Sequence, residues 1–251
     1  MTGNDDTAAA SPGLPETLTE EEALALLARR DLSRESIEKL VRYPGLMKSR
    51  RVVQAVIAHP HTPKHISLPR ARDLYTFELM NLSLSPAVAA DVKLAAEDVI
   101  LSHLGTVTAG ERLTLAKRAS LRIAAALLLD AEERVMSAAL GNGRVTEEAV
   151  VRALQSPRAT LALVDSVCRH ERWSLRRDIR IALLRSPYIS EARAHEFAAE
   201  LPANVLAGLV DYVGPEVRSA LQAELRRRNH DLTTEDALRL RSGQAPDAEK
   251  R

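Results

Sequence analysis

Aromatic residues are scarce in this sequence. Its 251 residues include two Phe, one Trp and four Tyr, which together make up 3% of the chain. A core in such a chain must be built from Leu, Ala, Val and Ile, the residues that pack one helix on another. Few aromatic side chains also leave few surfaces on which bases can stack, which counts against single-stranded nucleic-acid binding.

Cysteine is also nearly absent. The chain has one cysteine, Cys168, which excludes an internal disulfide and any cysteine-based zinc or iron–sulfur site. The first residues are acidic and contain no apolar run, so no signal peptide is predicted. No stretch approaches the roughly 18 consecutive apolar residues that cross a membrane. We therefore expect a cytoplasmic protein that makes no membrane contact.

The net charge is close to zero, at +1, so no overall field attracts nucleic acid. The basic residues are uneven in kind, however, because 29 of them are Arg and six are Lys. Arginine offers a planar, bidentate group to carboxylates and phosphates. The simpler explanation is nucleotide composition, since a GC-rich genome tends to encode chains that are rich in Ala and Arg.

No segment of real length alternates apolar and polar residues, so no strands are predicted. Helical spacing is frequent instead, and capping boxes at residues 19–22 and 108–111 mark helix starts. We predict an all-α fold of about fourteen helices, each of about 9–19 residues, without a β-sheet. The predicted organisation is a disordered leader at 1–17, a single domain at 18–229, and a flexible tail with one short helix at 230–251.

One pattern recurs along the chain: apolar helical positions, a helix stop, and a Ser or Thr that starts the next helix. Its best example is IRIALLRSPYIS at residues 179–190. The equivalent apolar positions Val52, Val135 and Ile179 are separated by 83 and 44 residues. A period of about 42 residues lies in the range of HEAT and armadillo repeats, although the copy expected near residue 95 is poor. Stacking would bury the apolar stripe that one helix pair cannot bury alone.

Three segments carry a resemblance to a known type of repeat: AVIAHPHTP at 55–63, AALGNGRVTEE at 138–148 and RWSLRRDIRIALLRSPYIS at 172–190. With their flanks, over about residues 45–200, they resemble HEAT-like α-solenoids, in particular the leucine-rich-repeat-variant type of bacterial proteins. The resemblance implies a curved α-solenoid of stacked antiparallel helix pairs, and it implies no particular enzymatic activity. Some relatives carry an N-terminal cysteine cluster for an iron–sulfur group, and this chain lacks those cysteines.

The densest cluster of candidate metal ligands is His59, His61 and His65. His61 and His65 are four residues apart and could share one metal, whereas a catalytic zinc takes three protein ligands and a water. His59 and His61 flank a proline and have no carboxylate nearby, so solvated turn histidines are the simpler interpretation. Cys168 and His170 would point to different faces of a helix, which predicts a buried, unreactive thiol.

The strongest local charge feature lies between residues 169 and 185. The predicted interaction surface consists of Arg169, Arg172, Trp173, Arg176, Arg177, Arg180 and Arg185. A cap at Ser174 is predicted for a helix over residues 175–185, and residues 172, 176 and 180 are predicted to lie in one helical row. Arginines beside an aromatic ring can contact phosphates or an acidic partner. The alternative is a solvated face, in which Glu171 and Asp178 neutralise part of the charge and Trp173 packs where the helix starts.

The sequence contains no nucleophile elbow, phosphate loop, H-E-x-x-H or G-x-G-x-x-G pattern, so no catalytic, cofactor-binding or metal-ligating residue is predicted. We therefore expect a non-enzymatic scaffold that binds another protein and needs no cofactor. The alternative is nucleic-acid binding through the arginines of residues 169–185, with a DNA-glycosylase-like protein as its enzymatic extreme. A metal-dependent enzyme at the three histidines ranks last. The sequence predicts no oligomeric state.

Overall fold

The structure is a computed structural model that describes residues 18–241, with side chains described up to residue 230. Within that range the chain forms fifteen α-helices and two short 3₁₀ turns, and it contains no strand. The predicted all-α class is confirmed. The predicted leader at 1–17 and the end of the predicted tail, from residue 242, lie outside the described residues.

The chain divides into two compact units between Leu115 and Ala116. The first unit contains α1 (Glu20–Leu27), α2 (Arg34–Val41), a 3₁₀ turn (Leu46–Lys48), α3 (Arg50–Ala58), α4 (Lys64–Ala71), α5 (Thr76–Leu84) and α6 (Ala90–His103). Helix α7 (Ala109–Arg118) includes the boundary. The single domain expected over residues 18–229 stays a prediction.

The second unit contains the remaining helices, which follow one another after short turns. They are α8 (Leu121–Leu127), α9 (Glu133–Leu140), α10 (Glu147–Leu154), α11 (Leu161–Arg169), α12 (Arg177–Leu184), α13 (Glu191–Glu200), α14 (Ala203–Leu209), a 3₁₀ turn (Val210–Tyr212) and α15 (Pro215–Arg241).

Helix starts follow the capping signals of the sequence. The Thr19 hydroxyl accepts a hydrogen bond from the Glu22 N–H, and the Glu22 carboxylate accepts one from the Thr19 N–H. The capping box at residues 108–111 forms in the same way. The Thr146 and Ser190 hydroxyls accept N–H bonds in the first turns of α10 and α13. These predicted caps are confirmed, because each side chain satisfies an N–H that the helix leaves unpaired.

Most helices are shorter than predicted. Helix α8, for example, has 7 residues and α12 has 8, whereas α6 has 14. The apolar pattern runs on through the turns, whose own apolar residues are also buried, so spacing alone overestimates helix length. Val145 and Ile189, for example, lie in turns and are 1% and 7% exposed.

Helix α15 is the exception, with 27 residues. It continues to Arg241, so the residues of the short helix predicted in the tail are helical and belong to α15 rather than to a separate helix. The reason is that residues 216–241 contain no Gly or Pro, and polar composition alone does not end a helix. No helix in the described part of the chain is long and apolar enough to cross a membrane. The expected cytoplasmic location stays a prediction.

Helices pack against their chain neighbours and against the next helix but one. In the first unit α1 contacts α3 and α4 contacts α6, and in the second unit α9 contacts α11 and α10 contacts α12. The matched apolar positions Val135 and Ile179 lie on α9 and α12, so they are three helices apart in the chain. The spacing that predicts a period near 42 therefore covers three helices rather than one helix pair.

The apolar positions matched in the sequence all lie in the core. Val52, Val135 and Ile179 are 0%, 1% and 0% exposed, as predicted. Each lies among other aliphatic side chains; the cluster around Val52, for instance, contains Ile37 and Leu40. Burial of each such side chain stabilises the fold by about 1.5–3 kcal/mol.

Five turns share one hydrogen-bonding arrangement, and we name them the matched turns. They occupy residues 59–63, 142–146, 156–160, 170–174 and 186–190. In each, the fourth N–H donates to the first carbonyl, and the first side chain accepts from the third N–H. The accepting side chains are those of His59, Asn142, Ser156, His170 and Ser186. Asn and Ser commonly hold turns in this way, and proline at the second position, as in three of the five, presets the turn.

Arg228 closes the C-terminal end of α13. Its guanidinium donates to the carbonyl oxygens of Ala198, Ala199 and Leu201, at distances of 2.8–3.0 Å. Glu224, one turn earlier on α15, pairs with Arg228 and with Arg227. Hydrogen bonds from Arg227 and Arg228 lower the pKa of Glu224 to about 2. Helix α15 thus satisfies the carbonyls that α13 leaves unpaired.

Candidate interaction surface

The seven residues of the predicted surface do not form one face. Helix α12 runs from Arg177 to Leu184, about 12 Å along its axis. Arg169, Arg172, Arg176 and Arg177 precede or begin it, and Arg185 follows its last residue. The predicted helical row of 172, 176 and 180 is wrong, because residues 171–175 form a turn and the helix starts only at Arg177.

Trp173 is a core residue. Its side chain is 1% exposed, and its indole N–H donates to the carbonyl oxygen of Leu140, the last residue of α9, at 2.9 Å. The Arg172 guanidinium covers the ring, with its central carbon 4.1 Å from the ring centroid. The prediction that Trp173 lies on an interaction surface is wrong. A large aromatic ring stabilises the fold more when it is buried in the core than when it is exposed to solvent. The alternative, in which Trp173 packs where the helix starts, agrees with the structure.

The predicted Ser174 cap is wrong. In the matched turns at 142–146, 156–160 and 186–190, the fifth residue caps a helix that starts immediately after it. In the turn at 170–174 the fourth residue is Trp173, and α12 starts three residues after Ser174 without a side-chain cap. The Ser174 carbonyl instead accepts a hydrogen bond from Arg180 Nε at 2.7 Å.

Arg180 is buried, so its predicted place on the exposed face is wrong. The residue is 9% exposed, and its guanidinium pairs with Glu200, at the end of α13, with 2.5 Å between Nη1 and Oε2. The Phe197 ring centroid lies 5.6 Å from the guanidinium carbon. A buried guanidinium is tolerated only when it is paired and hydrogen-bonded, which these contacts achieve. Arg180 therefore ties the turn before α12 to α13.

The exposed remainder is an edge at the start of α12, which we name the arginine edge: Arg172, Leu175, Arg176 and Arg177. Leu175 is 70% exposed. The Arg176 and Arg177 side chains are exposed, and they make no ion pair or hydrogen bond with any described residue. Cations at a helix start oppose the helix dipole, at a cost of about 0.3–1 kcal/mol each. Local folding therefore does not account for these two arginines.

Three other helices of the second unit begin with Glu, whereas α12 begins with Arg177 and carries its acidic residue, Asp178, one position later. The first turns of α9, α10 and α13 carry Glu, which suits the helix dipole. Near the arginine edge, Arg169 lies 4.0 Å from Glu133, measured from Nη2 to Oε1, and both side chains are mostly exposed. Residues 169–178 contain four arginines and two acidic residues, Glu171 and Asp178, so the segment keeps a positive charge.

Arg185 lies at the opposite end of α12. Its guanidinium carbon is 5.9 Å from the ring centroid of Tyr212, and no described carboxylate pairs with it. Tyr212 is 68% exposed, and Tyr188 is 44% exposed. The sequence analysis missed Leu175, Tyr188 and Tyr212. A signal existed for Tyr188, because the third position of a matched turn is exposed wherever it occurs in the second unit.

His59 and His61 lie in the turn after α3, whereas His65 lies on α4. His59 is 6% exposed, its Nε2 lies 2.9 Å from the carbonyl oxygen of Arg29, and its Nδ1 accepts a hydrogen bond from the His61 N–H. His61 Nδ1 lies 3.0 Å from the carbonyl oxygen of Leu32, and His65 is exposed. Among the described residues, no three His, Cys, Asp or Glu side chains are placed to hold a metal ion.

Cys168 is buried, as predicted. Burial raises the pKa of its thiol to about 11, so little thiolate forms at neutral pH. His170 does not act as its base, because His170 Nδ1 accepts a hydrogen bond from the Arg172 N–H. Burial, followed by the nearby Arg172 charge, lowers the pKa of His170. This pair offers no activated nucleophile.

No protein-family model, curated protein or solved structure matches this chain. Any likeness to HEAT-like repeats therefore rests on the sequence patterns, and function must be inferred from the geometry of each unit.

Proposed function

We propose that this protein is a non-enzymatic helical-repeat scaffold that binds another protein through the arginine edge. The observation that carries the proposal is the exposure of Leu175 beside Arg176 and Arg177, two cations without a partner in the described chain. Arginine and exposed apolar side chains together are typical of protein interfaces. Two unpaired guanidinium groups favour an acidic surface on the partner.

The proposed architecture within each unit is an α-solenoid of stacked antiparallel helix pairs, of the HEAT-like kind. Contacts between a helix and the next but one, as in α1 with α3 and α10 with α12, support it. So do the four matched turns that follow α9, α10, α11 and α12 in succession. In a solenoid the core residues set the stacking and the surface residues set the partner. The residues of the arginine edge can then suit a particular partner without any change to the core.

Nucleic acid is the alternative partner, with a DNA-glycosylase-like activity as its extreme form. Two adjacent free arginines are compatible with phosphate contacts. Against it, Trp173 is 1% exposed and therefore cannot stack on a base. The 70% exposure of Leu175 and the +1 net charge also favour a protein partner.

The substitution Arg176→Asp separates binding from folding. Arg176 occupies the N-cap of α12 and makes no side-chain cap bond. Aspartate at an N-cap stabilises a helix by about 1 kcal/mol, so the unfolding midpoint should stay unchanged or rise by about 2–4 °C. We expect the same variant to lose its partner, because it reverses a charge of the arginine edge.

The measurement is capture by tagged full-length protein from an extract of the source organism, with quantitative mass spectrometry. Arg226→Glu is the matched control, since Arg226 is an exposed arginine of the same unit without a described partner. We expect a protein that the wild type and Arg226→Glu retain and Arg176→Asp loses. Equal capture by all three proteins would contradict the proposal.

Nucleic-acid binding is measured in parallel, by the fluorescence anisotropy of a labelled 20-base-pair duplex and of its single strand. We expect no binding at low salt. If binding falls steeply with salt and disappears in Arg176→Asp, nucleic acid rather than a protein is the partner of the arginine edge.

A further inference from the structure

A groove lies between two matched turns of the second unit, those at 156–160 and 186–190. Its volume is about 560 Å³, a size typical of ligand pockets. Leu154, Ala159 and Ala182 form its buried floor. The exposed side chains that line it are Gln155, Pro157, Arg185, Pro187 and Tyr188.

The walls of the groove are held in place by the turns themselves. The Ser156 hydroxyl accepts a hydrogen bond from the Arg158 N–H at 3.2 Å, and the Ser186 hydroxyl accepts one from the Tyr188 N–H at 3.3 Å. Each turn also contains a proline, whose ring fixes the backbone. A binding site that is ordered in advance loses less entropy when a ligand arrives.

The chemistry of the walls is apolar and cationic. Two proline rings and the half-exposed Tyr188 ring present flat apolar surfaces without N–H groups. Arg185 is the one charged side chain in the lining, and no acidic residue lines the groove. Its guanidinium lies beside the exposed Tyr212 ring and has no carboxylate partner in the described chain. Arg185 therefore has no carboxylate partner among the residues that line the groove.

We propose that this groove binds a short extended segment of another protein that contains proline and carries a carboxylate. The carboxylate pairs with Arg185, and proline-rich extended segments dock in grooves lined by aromatic rings. This inference rests on the proposed protein-binding function, but it uses the opposite end of α12 from the arginine edge.

The test uses full-length protein and a fluorescein-labelled peptide, Ala-Pro-Pro-Glu-Leu-Pro-Pro-Ala, in anisotropy titrations. We expect saturable binding. A peptide with Gln in place of Glu, and one with Ala in place of every Pro, should each bind about fivefold more weakly or worse. An amphipathic helical peptide of equal charge should not compete, and competition by it would overturn the extended occupant.

Two variants assign the binding to the groove. Arg185→Glu and Tyr188→Ala should each weaken binding about fivefold or more, while Arg226→Glu leaves it unchanged. A peptide with Lys in place of Glu should bind Arg185→Glu better than it binds the wild type. Both substituted side chains are exposed, so the unfolding midpoint should not move. If Tyr188→Ala alone is unstable, the binding of the Glu and Lys peptides to Arg185→Glu provides the test.

Absence of saturable binding up to millimolar peptide, or an affinity that neither substitution changes, would overturn the inference. This failure is distinguishable from failure of the proposed function. Arg176→Asp should lose the partner captured at the arginine edge and still bind the peptide, because the two ends of α12 are about 12 Å apart. Loss of peptide binding in Arg176→Asp would contradict a separate groove site.

Discussion

The two units secure their helix ends by different chemistry. In the second unit, four successive helix ends are held by matched turns, in which a neutral side chain accepts one backbone N–H. In the described part of the first unit only the end of α3, at His59, is held in this way. Charged pairs also join helices there, because Arg50 binds Glu78 and Lys64 binds Asp91, as Arg180 binds Glu200 in the second unit.

This difference indicates how the two units respond to their surroundings. Short-range hydrogen bonds in a turn are hardly affected by salt, whereas pairs between exposed charges are screened and depend on pH. Uniform turns also give the second unit similar surfaces between its helix ends, and the groove beside Arg185 lies between two of them. The described carboxyls with a lowered pKa are Glu224 in the second unit and Glu22, Asp31, Glu78, Asp91 and Glu111 in the first. We expect the second unit to be the more uniform at its helix ends. Acid should act at several places in the first unit and mainly at Glu224 in the second.

The largest expected effect is that of Trp173→Ala, which removes the ring that fills one matched turn of the second unit. We expect the free energy of unfolding of that unit to fall by about 3–5 kcal/mol. Denaturant titration combined with hydrogen exchange measures the free energy of unfolding of each unit separately. Trp173→Phe is the matched control, because it keeps most of the ring and leaves the Leu140 carbonyl without its donor, at a cost of about 1–3 kcal/mol. An equal effect of the two substitutions would show that the hydrogen bond alone matters.

A smaller effect should follow from Asn142→Ala. The Asn142 amide donates to the carbonyls of Ala116 and Ala119 and accepts from the Arg144 N–H. Its loss leaves these buried groups unpaired, which we expect to cost about 2–3 kcal/mol. Ser156→Ala, at the equivalent position of the next turn, removes a single bond and should cost about 1 kcal/mol. Equal costs in urea unfolding would mean that the matched turns are equivalent in energy as well as in geometry.

The smallest effect concerns acid and the first unit. Hydrogen bonds from Arg50, and then the Tyr75 N–H, lower the pKa of Glu78 below its usual 4.5. A lowered carboxyl pKa stabilises the fold above pH 4.5, and this contribution is lost as pH falls below it. Glu78→Gln keeps the shape and removes the charge, so its unfolding midpoint should decline less between pH 6 and pH 3 than that of the wild type. Parallel midpoints over that range would refute the role of this pair.

The sequence predicts the all-helical class, the caps at Thr19, Thr146 and Ser190, and the buried positions Val52, Val135 and Ile179. These follow from local rules, because a cap or an apolar stripe is decided within a few residues. The burial of Arg180 could not be predicted, because its partner Glu200 lies at the far end of the next helix, α13. Periodicity counts any arginine as solvent-facing, and it places Leu175 in the core although the chain forms a turn there.

The matched turns also escaped the sequence pattern, for a chemical reason. Asn142, Ser156, His170 and Ser186 share an accepting atom rather than a residue type, so a comparison of letters does not align them. Compared by that function, they recur once after every helix from α9 to α12. The period near 42 results from resemblance among α3, α9 and α12, and it passes over α10 and α11.

The clamp of Arg228 on the end of α13 sets a limit on lengthening this protein. Its guanidinium occupies the carbonyls of Ala198, Ala199 and Leu201. These are acceptors of the kind that Asn142 uses at Ala116 and Ala119 to fasten its turn to an earlier part of the chain. A protein engineer who grafts further helix pairs onto the end of α13 would first have to replace Arg228, because its guanidinium already binds these three carbonyls.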